Sequence, residues 1–158
     1  MTHLEAAIDG TVLPAGTVQT THEGRPLWVR YGLERVRAAV DRDDLRARPA
    51  DMWRYRELLP ISTDPVSLGE TMTPLLEAPR LAAPVGLGAL YVKDDGKNPS
   101  ASFKDRASAI ALLRAIETGH DLVTGASTGN AASSTAVLAA ALGVRTRIFL
   151  PAAAPPAK

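Results

Sequence analysis

Residues 98–106, with the sequence Asn-Pro-Ser-Ala-Ser-Phe-Lys-Asp-Arg, constrain the fold more than any other part of the chain. Ahead of them, residues 90–93 predict a short strand, and the residues between are dense in turn formers. Ser102 is a good helix N-cap, and Asp105 three residues later completes a capping-box pattern. The stretch therefore predicts a strand, a turn and a helix that carries Lys104 in its first turn.

Lys104 stands where a second positive charge is unfavourable, because the N-terminus of a helix carries partial positive charge. One interpretation is a solvated surface lysine, which is the usual situation of this residue. The other is an amine held in a desolvated position, from which it attacks a carbonyl carbon. A Schiff base with pyridoxal phosphate is the common use of such a lysine, so this cofactor is the first candidate.

A second polar turn, Ser127-Thr128-Gly129-Asn130, lies between a predicted strand and a predicted helix. Free backbone N–H groups at the start of the helix, two hydroxyls and a glycine that permits close approach suit a carboxylate or a phosphate. A structural interpretation is equally open, since Ser, Thr and Asn are the favoured helix caps. The turn alone therefore does not decide between a binding loop and a capped helix.

The chain from residue 90 onward alternates strands and helices. The predicted elements are a strand at 90–93, a helix from 102 to about 118, a strand at 121–124, a helix at 131–142 and a strand at 145–150. Gly119 and Gly143 suit the left-handed positions that end the two helices. This order predicts an α/β fold with a parallel sheet and right-handed crossovers. Both polar turns would then lie at the carboxyl edge of the sheet, where open α/β folds bind ligands.

The first 60 residues give weaker signals. Residues 1–26 are polar and interrupted by glycine and proline, a strand is predicted at 27–31 and a short helix at 33–40, and the charged run 41–48 is typical of a solvated face or linker. Residues 52–60 predict a short helix ended by proline. We expect its Trp53 and Leu58 to pack against the main body, as buried aromatic side chains usually do.

Composition excludes several classes of protein. A formal net charge of +1 gives no basic surface for a nucleic acid or an anionic membrane, so we expect neither partner. With no run of about 18 apolar residues and no signal peptide, the chain is expected to be cytoplasmic. It has no cysteine, and His3, His22 and His120 show no metal-ligand spacing, so we expect no disulfide and no metal site.

Residues 93–106 closely resemble the cofactor-lysine segment of threonine synthases and related fold-type II pyridoxal-phosphate enzymes. Residues 126–131, Ala-Ser-Thr-Gly-Asn-Ala, resemble the asparagine loop of the same enzymes. Residues 67–76 are similar to their Leu-Gly-Glu-x-x-Thr-Pro-Leu run, although Thr71 replaces the expected glycine, and residues 52–60 resemble the segment ahead of it. The resemblance covers roughly residues 27–158, which correspond to the front part of such an enzyme.

The resemblance implies roles for particular residues. Lys104 would be the Schiff-base lysine, and Asn130 would hydrogen-bond the 3'-oxygen of the cofactor. Ser127 and Thr128, with the amides of the turn including Gly129, would grip the substrate carboxylate. The further candidates for contact with substrate or cofactor are Asn98, Ser100 and Arg106, each of which is equally compatible with a structural role.

The activity implied is that of a threonine synthase, a lyase that eliminates phosphate from O-phosphohomoserine and adds water to give threonine. It implies a small amino-acid substrate and a homodimer when the protein is full length. We expect an N-terminal extension without zinc-ligand cysteines over residues 1–60, and the first part of the pyridoxal-phosphate catalytic fold over 61–158. The C-terminal remainder would be missing and the sheet truncated, with an open edge.

Two alternatives remain. A threonine or serine dehydratase would share both loops, although residues 53–60 and 68–76 favour the synthase. A catalytically inactive remnant or an interaction domain is also compatible with the sequence, because the family's glycine-rich phosphate loop lies beyond residue 158.

Overall fold

A computed structural model gives the structure of the protein and describes residues 1–70 and 72–154. In chain order these form β1 (His3–Ala6), β2 (Val12–Leu13), β3 (Thr21–His22), β4 (Arg25–Arg30), α1 (Leu33–Ala39), α2 (Arg42–Ala47), a 3-10 helix (Met52–Leu58), β5 (Leu75–Glu77), α3 (Pro79–Ala82), a 3-10 turn (Ala83–Val85), β6 (Tyr91–Lys93), a 3-10 turn (Asp95–Lys97), α4 (Lys104–Glu117), β7 (Leu122–Ala126), α5 (Asn130–Leu142) and β8 (Arg145–Phe149). The content is mixed α/β. Thr71, where the sequence departs from the family pattern, lies outside the described residues.

The N-terminal residues form a four-stranded antiparallel sheet in the order β2-β1-β4-β3. Leu4 on β1 lies opposite Val29 on β4, and Leu4 is buried. The guanidinium of Arg30 donates two hydrogen bonds to the Glu5 carboxylate across the same pair of strands. This sheet was not predicted for residues 1–26. It contacts the rest of the molecule through the loop after β2, where the carbonyl of Ala15 accepts from a guanidinium N–H of α4 at 2.8 Å.

The strand expected at residues 90–93 forms, but in a different sheet from the later strands. β6 pairs antiparallel with β5, with Leu75 opposite Lys93 and Glu77 opposite Tyr91. Backbone hydrogen bonds from Ala78 to Leu90 and from Asp94 to Pro74 extend this ladder at both ends. β6 has β5 as its only described partner strand, so the expected single parallel sheet is not formed among the described residues.

β7, α5 and β8 form the parallel unit that the sequence predicts. The two strands pair in parallel, with Leu122 opposite Arg145 and Ala126 opposite Phe149. Gly143 ends α5 in the left-handed conformation with a φ of 67°, and Gly119 after α4 has a φ of 79°. Both helix ends are therefore where the sequence predicts them.

The main core lies between the 3-10 helix, α4 and α5. Its buried members are Trp53, Ala109, Leu112, Leu113, Leu138 and Ala139. Trp53 is only 7% exposed, so it packs on the main body as expected, whereas Leu58 is 41% exposed. Full burial of a leucine side chain contributes about 1.5–3 kcal/mol, so this cluster fixes α4 against α5.

The charged run at 41–48 is a helix rather than an irregular linker. The Asp41 side chain accepts from the backbone N–H groups of Asp43 and Asp44, and the Asp44 carboxylate accepts in return from the Asp41 N–H. This reciprocal capping box starts α2, none of whose residues is buried. The expected solvated face is therefore present, carried on a capped helix.

Candidate active site

The turn that precedes α4 is held in an unusual backbone conformation. Ala101 has a φ of 58°, in the left-handed region that disfavours residues with a Cβ. Its N–H donates to the carbonyl of Asn98 at 2.8 Å. The Ser102 hydroxyl accepts from the backbone N–H of Lys104 at 3.2 Å, which covers one of the free amides at the start of the helix.

Asp105 does not complete the capping box expected with Ser102. The N-cap of α4 is Phe103, which makes no side-chain capping bond. The Asp105 carboxylate is fully buried and turns back to Ser100, accepting from its backbone N–H at 2.7 Å and from its hydroxyl at 2.5 Å. A buried carboxylate needs such partners, so this pair ties the turn to the helix.

Lys104 is the first residue of α4 and so lies in the first turn of the helix, as the sequence predicts. Its side chain is half-buried, and Nζ lies 4.7 Å from the centroid of the Phe103 ring. Within the described part of the chain, no hydrogen-bond acceptor or carboxylate contacts this amine. The amine is therefore available to a ligand.

Arg106 lies in a polar network with the segment before β5. Its guanidinium forms an ion pair with Asp95 at 3.0 Å and donates to the Thr73 hydroxyl at 3.3 Å. The hydrogen bonds from Arg106 and Thr73 both lower the pKa of the Asp95 carboxyl, and the bond from Arg106 has the larger effect. The Lys93 amine donates to the Thr73 carbonyl in the same cluster. These contacts give Arg106 a structural role, because they connect α4 to the turn after β6 and to the segment before β5.

Asn98 is 4% exposed, and only one of the two polar atoms of its side-chain amide is hydrogen-bonded. Its amide nitrogen donates to the Asp95 carbonyl at 3.0 Å, while its Oδ1 is buried without a hydrogen-bond partner. A buried polar atom without a partner is unusual and calls for an explanation, such as a ligand or an ordered water. Asn98 thus keeps an acceptor for a group that the protein chain does not supply, whereas both donors of Ser100 are used within the chain.

The second polar turn leads directly into α5, whose first residue is Asn130. The Gly129 N–H donates to the Ser127 hydroxyl at 3.2 Å. Over the described residues, the N–H groups of Thr128, Asn130 and Ala131 donate to no protein acceptor. These three free donors are the arrangement that binds an anion at a helix N-terminus.

Gly129 borders open space. A Cβ built on it would meet no protein atom within 4 Å, and its φ of −134° is accessible to any residue. Neither backbone conformation nor packing within the chain requires glycine here. The glycine instead leaves room for a ligand to approach the free N–H groups.

The two turns lie at the same end of the α4–α5 pair. Ser108 lies about one turn into α4 and Thr135 about one turn into α5, and their hydroxyls are 3.4 Å apart. The two residues are 27 positions apart in the sequence. Leu112 and Ala139 share the core cluster at the same offset, as expected for helices that run side by side in the same direction. The first turn of α4 with Lys104 therefore lies beside the first turn of α5.

The sequence did not reveal the polar partners of these turns. Thr73, Asp95 and the Asp105–Ser100 pair each hold a candidate residue or its backbone in place. The one available signal was the density of polar residues in the turn between β6 and α4. It does not identify which partner each residue takes, because those contacts join segments that are distant in the sequence.

Comparison with known proteins gives the family to which this chain belongs. A family of pyridoxal-phosphate dependent enzymes matches residues 66–158, a range that includes both turns, and the chain belongs to this family. Along the described residues, no helix is both long and apolar enough to pass through a membrane.

Threonine synthases of several organisms are among the curated relatives that match the chain. The chain is 39% identical to that of Methanosarcina acetivorans over 113 residues, which are 72% of this chain and 28% of the relative. It is 38% identical to that of Methanocaldococcus jannaschii over 136 residues, 85% of this chain and 34% of the relative. The Synechocystis enzyme is 42% identical over 107 residues, 63% and 28% of the two chains. The chain thus spans about a third of the length of these relatives.

The residues present fit the cofactor of this family. Lys104 offers to an aldehyde an amine that no described acceptor binds, and the Gly129 turn offers open space beside N–H groups that donate to no described residue. The buried Asn98 Oδ1 is a further acceptor ahead of the same helix. The amine, the buried acceptor and the open space suit the aldehyde end of the cofactor, whereas the free N–H donors of the second turn suit a carboxylate.

Proposed function

We propose that the chain is the N-terminal part of a threonine synthase, a pyridoxal-phosphate-dependent lyase acting on O-phosphohomoserine and water to give threonine and phosphate. The observation that carries the proposal is the parallel placement of α4 and α5. It brings the first turns of the two helices, and with them Lys104 and the Ser127–Asn130 turn, to one end of the pair. The identity of 38–42% to threonine synthases supports the choice of reaction.

The candidate residues at the start of α4 and in the turn before α5 have separate parts in the proposal. Lys104 Nζ would hold the aldehyde of the cofactor, and Asn130 would hydrogen-bond its 3'-oxygen. Ser127, Thr128 and the amides around Gly129 bind the substrate carboxylate, for which the free N–H groups are suited.

Pyridoxal phosphate supplies an electron sink that stabilises negative charge on carbon next to the bound amino group. The chain supplies orientation and proton transfer. The anion donors of the second turn fix one end of the substrate, so that its reacting carbons face α4. The Lys104 amine, which no described hydrogen-bond acceptor or carboxylate binds, then accepts and returns protons at Nζ.

The proposal extends to the organisation of the protein. Residues 1–60 form an N-terminal extension, and residues 61–158 begin the catalytic fold, with a range close to the family match at 66–158. We propose a cytoplasmic homodimer for the full-length protein, with further segments completing the sheet around β7 and β8. Sedimentation of the full-length protein would test the dimer directly.

The experiment that tests the proposal is covalent trapping. Pyridoxal phosphate is added to the purified protein, the product is reduced with borohydride, and the adduct is located by peptide mass. We expect a visible absorption band that disappears on reduction, and an adduct on Lys104. An assay of threonine release from O-phosphohomoserine in the full-length protein then tests the reaction itself.

Lys104→Ala should remove the band and the adduct while the fold remains. Lys97→Ala is the matched control, since Lys97 is an exposed lysine in the turn between β6 and α4 and should not affect the adduct. An absorption band and adduct that persist in the Lys104→Ala protein would refute the assignment of the lysine.

A further inference from the structure

The hydrogen bonds between Asp105 and Ser100 lie beside a turn whose backbone is strained at Ala101. Ala101 is held at a φ of 58°, and the Asp105 carboxylate binds the backbone N–H and the hydroxyl of Ser100 immediately before it. A residue with a Cβ is strained in the left-handed region, and it persists there only where the surrounding contacts hold it. Here the holding contact comes from the residue that follows Lys104.

Burial shows that this contact is costly to lose. Asp105 and Ser102, on either side of the helix start, are 0% and 4% exposed. The Ser102 hydroxyl accepts from the Lys104 N–H, and the Ser102 carbonyl accepts from the Asp105 N–H. The backbone of Lys104 is therefore enclosed by hydrogen bonds on both sides, while its amine stays free.

Both donors of Ser100 point into the chain. Its N–H and its hydroxyl donate to the same carboxylate, so a contact with substrate would require breaking the bond to a buried charge. This distinguishes Ser100 from Asn98, which keeps a free acceptor.

We propose that Asp105 and Ser100 are positioning residues, which hold the left-handed turn at Ala101 so that the Lys104 amine is presented toward α5. The inference rests on the proposed role of Lys104. Without the pair, Ala101 returns to a relaxed conformation, the first turn of α4 frays and the amine samples many positions. The pair thus acts on the reactive lysine through the backbone, without contact with the substrate.

The test compares two reactions of Lys104 in the purified protein. The first is trapping by pyridoxal phosphate and borohydride, which needs a positioned amine. The second is acetylation of the cofactor-free protein by a succinimidyl ester, which needs only an accessible one. In Ser100→Ala we expect trapping to slow about tenfold, the effect of losing one hydrogen bond to a charged group, while acetylation of Lys104 becomes faster because fraying exposes its half-buried amine. A general loss of fold would instead raise acetylation along the whole chain, which peptide mass reports.

Three variants sharpen the test. Ser100→Thr keeps the hydroxyl and should retain most of the trapping rate, and Asp105→Asn, which keeps one acceptor oxygen, should lose part of it. Adding Ala101→Gly to Ser100→Ala should recover a several-fold rate, because glycine adopts a φ of 58° without a holding contact. Ser134→Ala is the control, since this serine is also fully buried but its hydroxyl makes no hydrogen bond.

The outcomes separate this inference from the proposed function. An adduct on Lys104 that forms equally fast in wild type, Ser100→Ala and Asp105→Asn would overturn the positioning role and leave the function intact. No adduct in wild type would count against the function. The acetylation rates would then still decide the inference, which is wrong if Ser100→Ala leaves Lys104 as protected as wild type. Failure of Ala101→Gly to rescue a slowed Ser100→Ala protein would also overturn it.

Discussion

Glu117 and Arg114 lie one turn apart near the end of α4, with a guanidinium N–H of Arg114 donating to the Glu117 carboxylate at 2.7 Å. The same carboxylate accepts from the backbone N–H groups of Ser62 and Thr63. The side chain of Glu117 is only 7% exposed. One carboxylate therefore fastens the segment after the 3-10 helix to the end of the helix that begins with Lys104.

This link should weaken in acid. Burial raises the pKa of the Glu117 carboxyl, but the N–H groups of Ser62 and Thr63, with Arg114, outweigh it and bring the pKa from 4.5 to about 2. Because the folded pKa lies below the unfolded one, the stabilisation is complete above about pH 5 and is lost as the pH falls toward 2.

We expect the free energy of unfolding of wild type to fall more steeply between about pH 5 and pH 2 than that of Glu117→Gln. At neutral pH the variant should be about 1–3 kcal/mol less stable, since it keeps an oxygen acceptor but loses the charge. Denaturant unfolding at a series of pH values measures both. Parallel pH curves for the two proteins would contradict the prediction.

The stabilisation that the Arg48–Glu57 ion pair contributes should require the two-pronged guanidinium of arginine. Two N–H groups of Arg48 donate to the two carboxylate oxygens at 2.7 Å each, and the pair is mostly buried. Lysine cannot make both bonds, so Arg48→Lys should cost about 1 kcal/mol by denaturant unfolding. Arg46→Lys is the control, because its pair with Asp43 is more than 70% exposed on both sides and should contribute less than about 0.5 kcal/mol.

Two glycines at the ends of α5 should respond differently to alanine. Gly143 has a φ of 67°, so Gly143→Ala should destabilise the protein by about 1 kcal/mol. Gly129→Ala should change stability by less than about 0.5 kcal/mol, because its backbone is extended and its Cβ meets nothing. If Gly129 borders the ligand, however, the second variant should slow trapping by pyridoxal phosphate or weaken substrate binding. Unimpaired trapping and substrate binding in Gly129→Ala would remove this glycine from the proposed site.

Local signals in the sequence predict the C-terminal half well. The helix ends at Gly119 and Gly143 and the parallel pair of β7 and β8 follow from glycine chemistry and from strand–helix alternation, which act over a few residues. The start of α4 at Lys104 also follows, although the capping residue does not. Asp105 has the spacing of a capping box, but the Ser100 donors, on the far side of a left-handed residue, outcompete the expected partner.

The pairing of the remaining strands could not be predicted in this way. β2 and β3 are two residues long, and their partners are fixed by antiparallel contacts such as Leu4 with Leu13 and Thr21 with Pro26. Short strands carry little periodicity, so the polar N-terminal residues suggested weak order. Residues 90–93 likewise predict a strand, but their sequence does not indicate that this strand, β6, pairs with β5.

The contact between Ala15 and Arg114 has a consequence for synthesis of the protein. The two residues are 99 positions apart in the sequence, whereas β1, β2 and β4 pair within the first 30 residues. At a translation rate of about 5–20 residues per second, the loop that carries Ala15 leaves the ribosome roughly 5–20 seconds before α4 is available to receive it. The strands of the N-terminal sheet are therefore all made, and able to pair, well before the lysine-bearing helix.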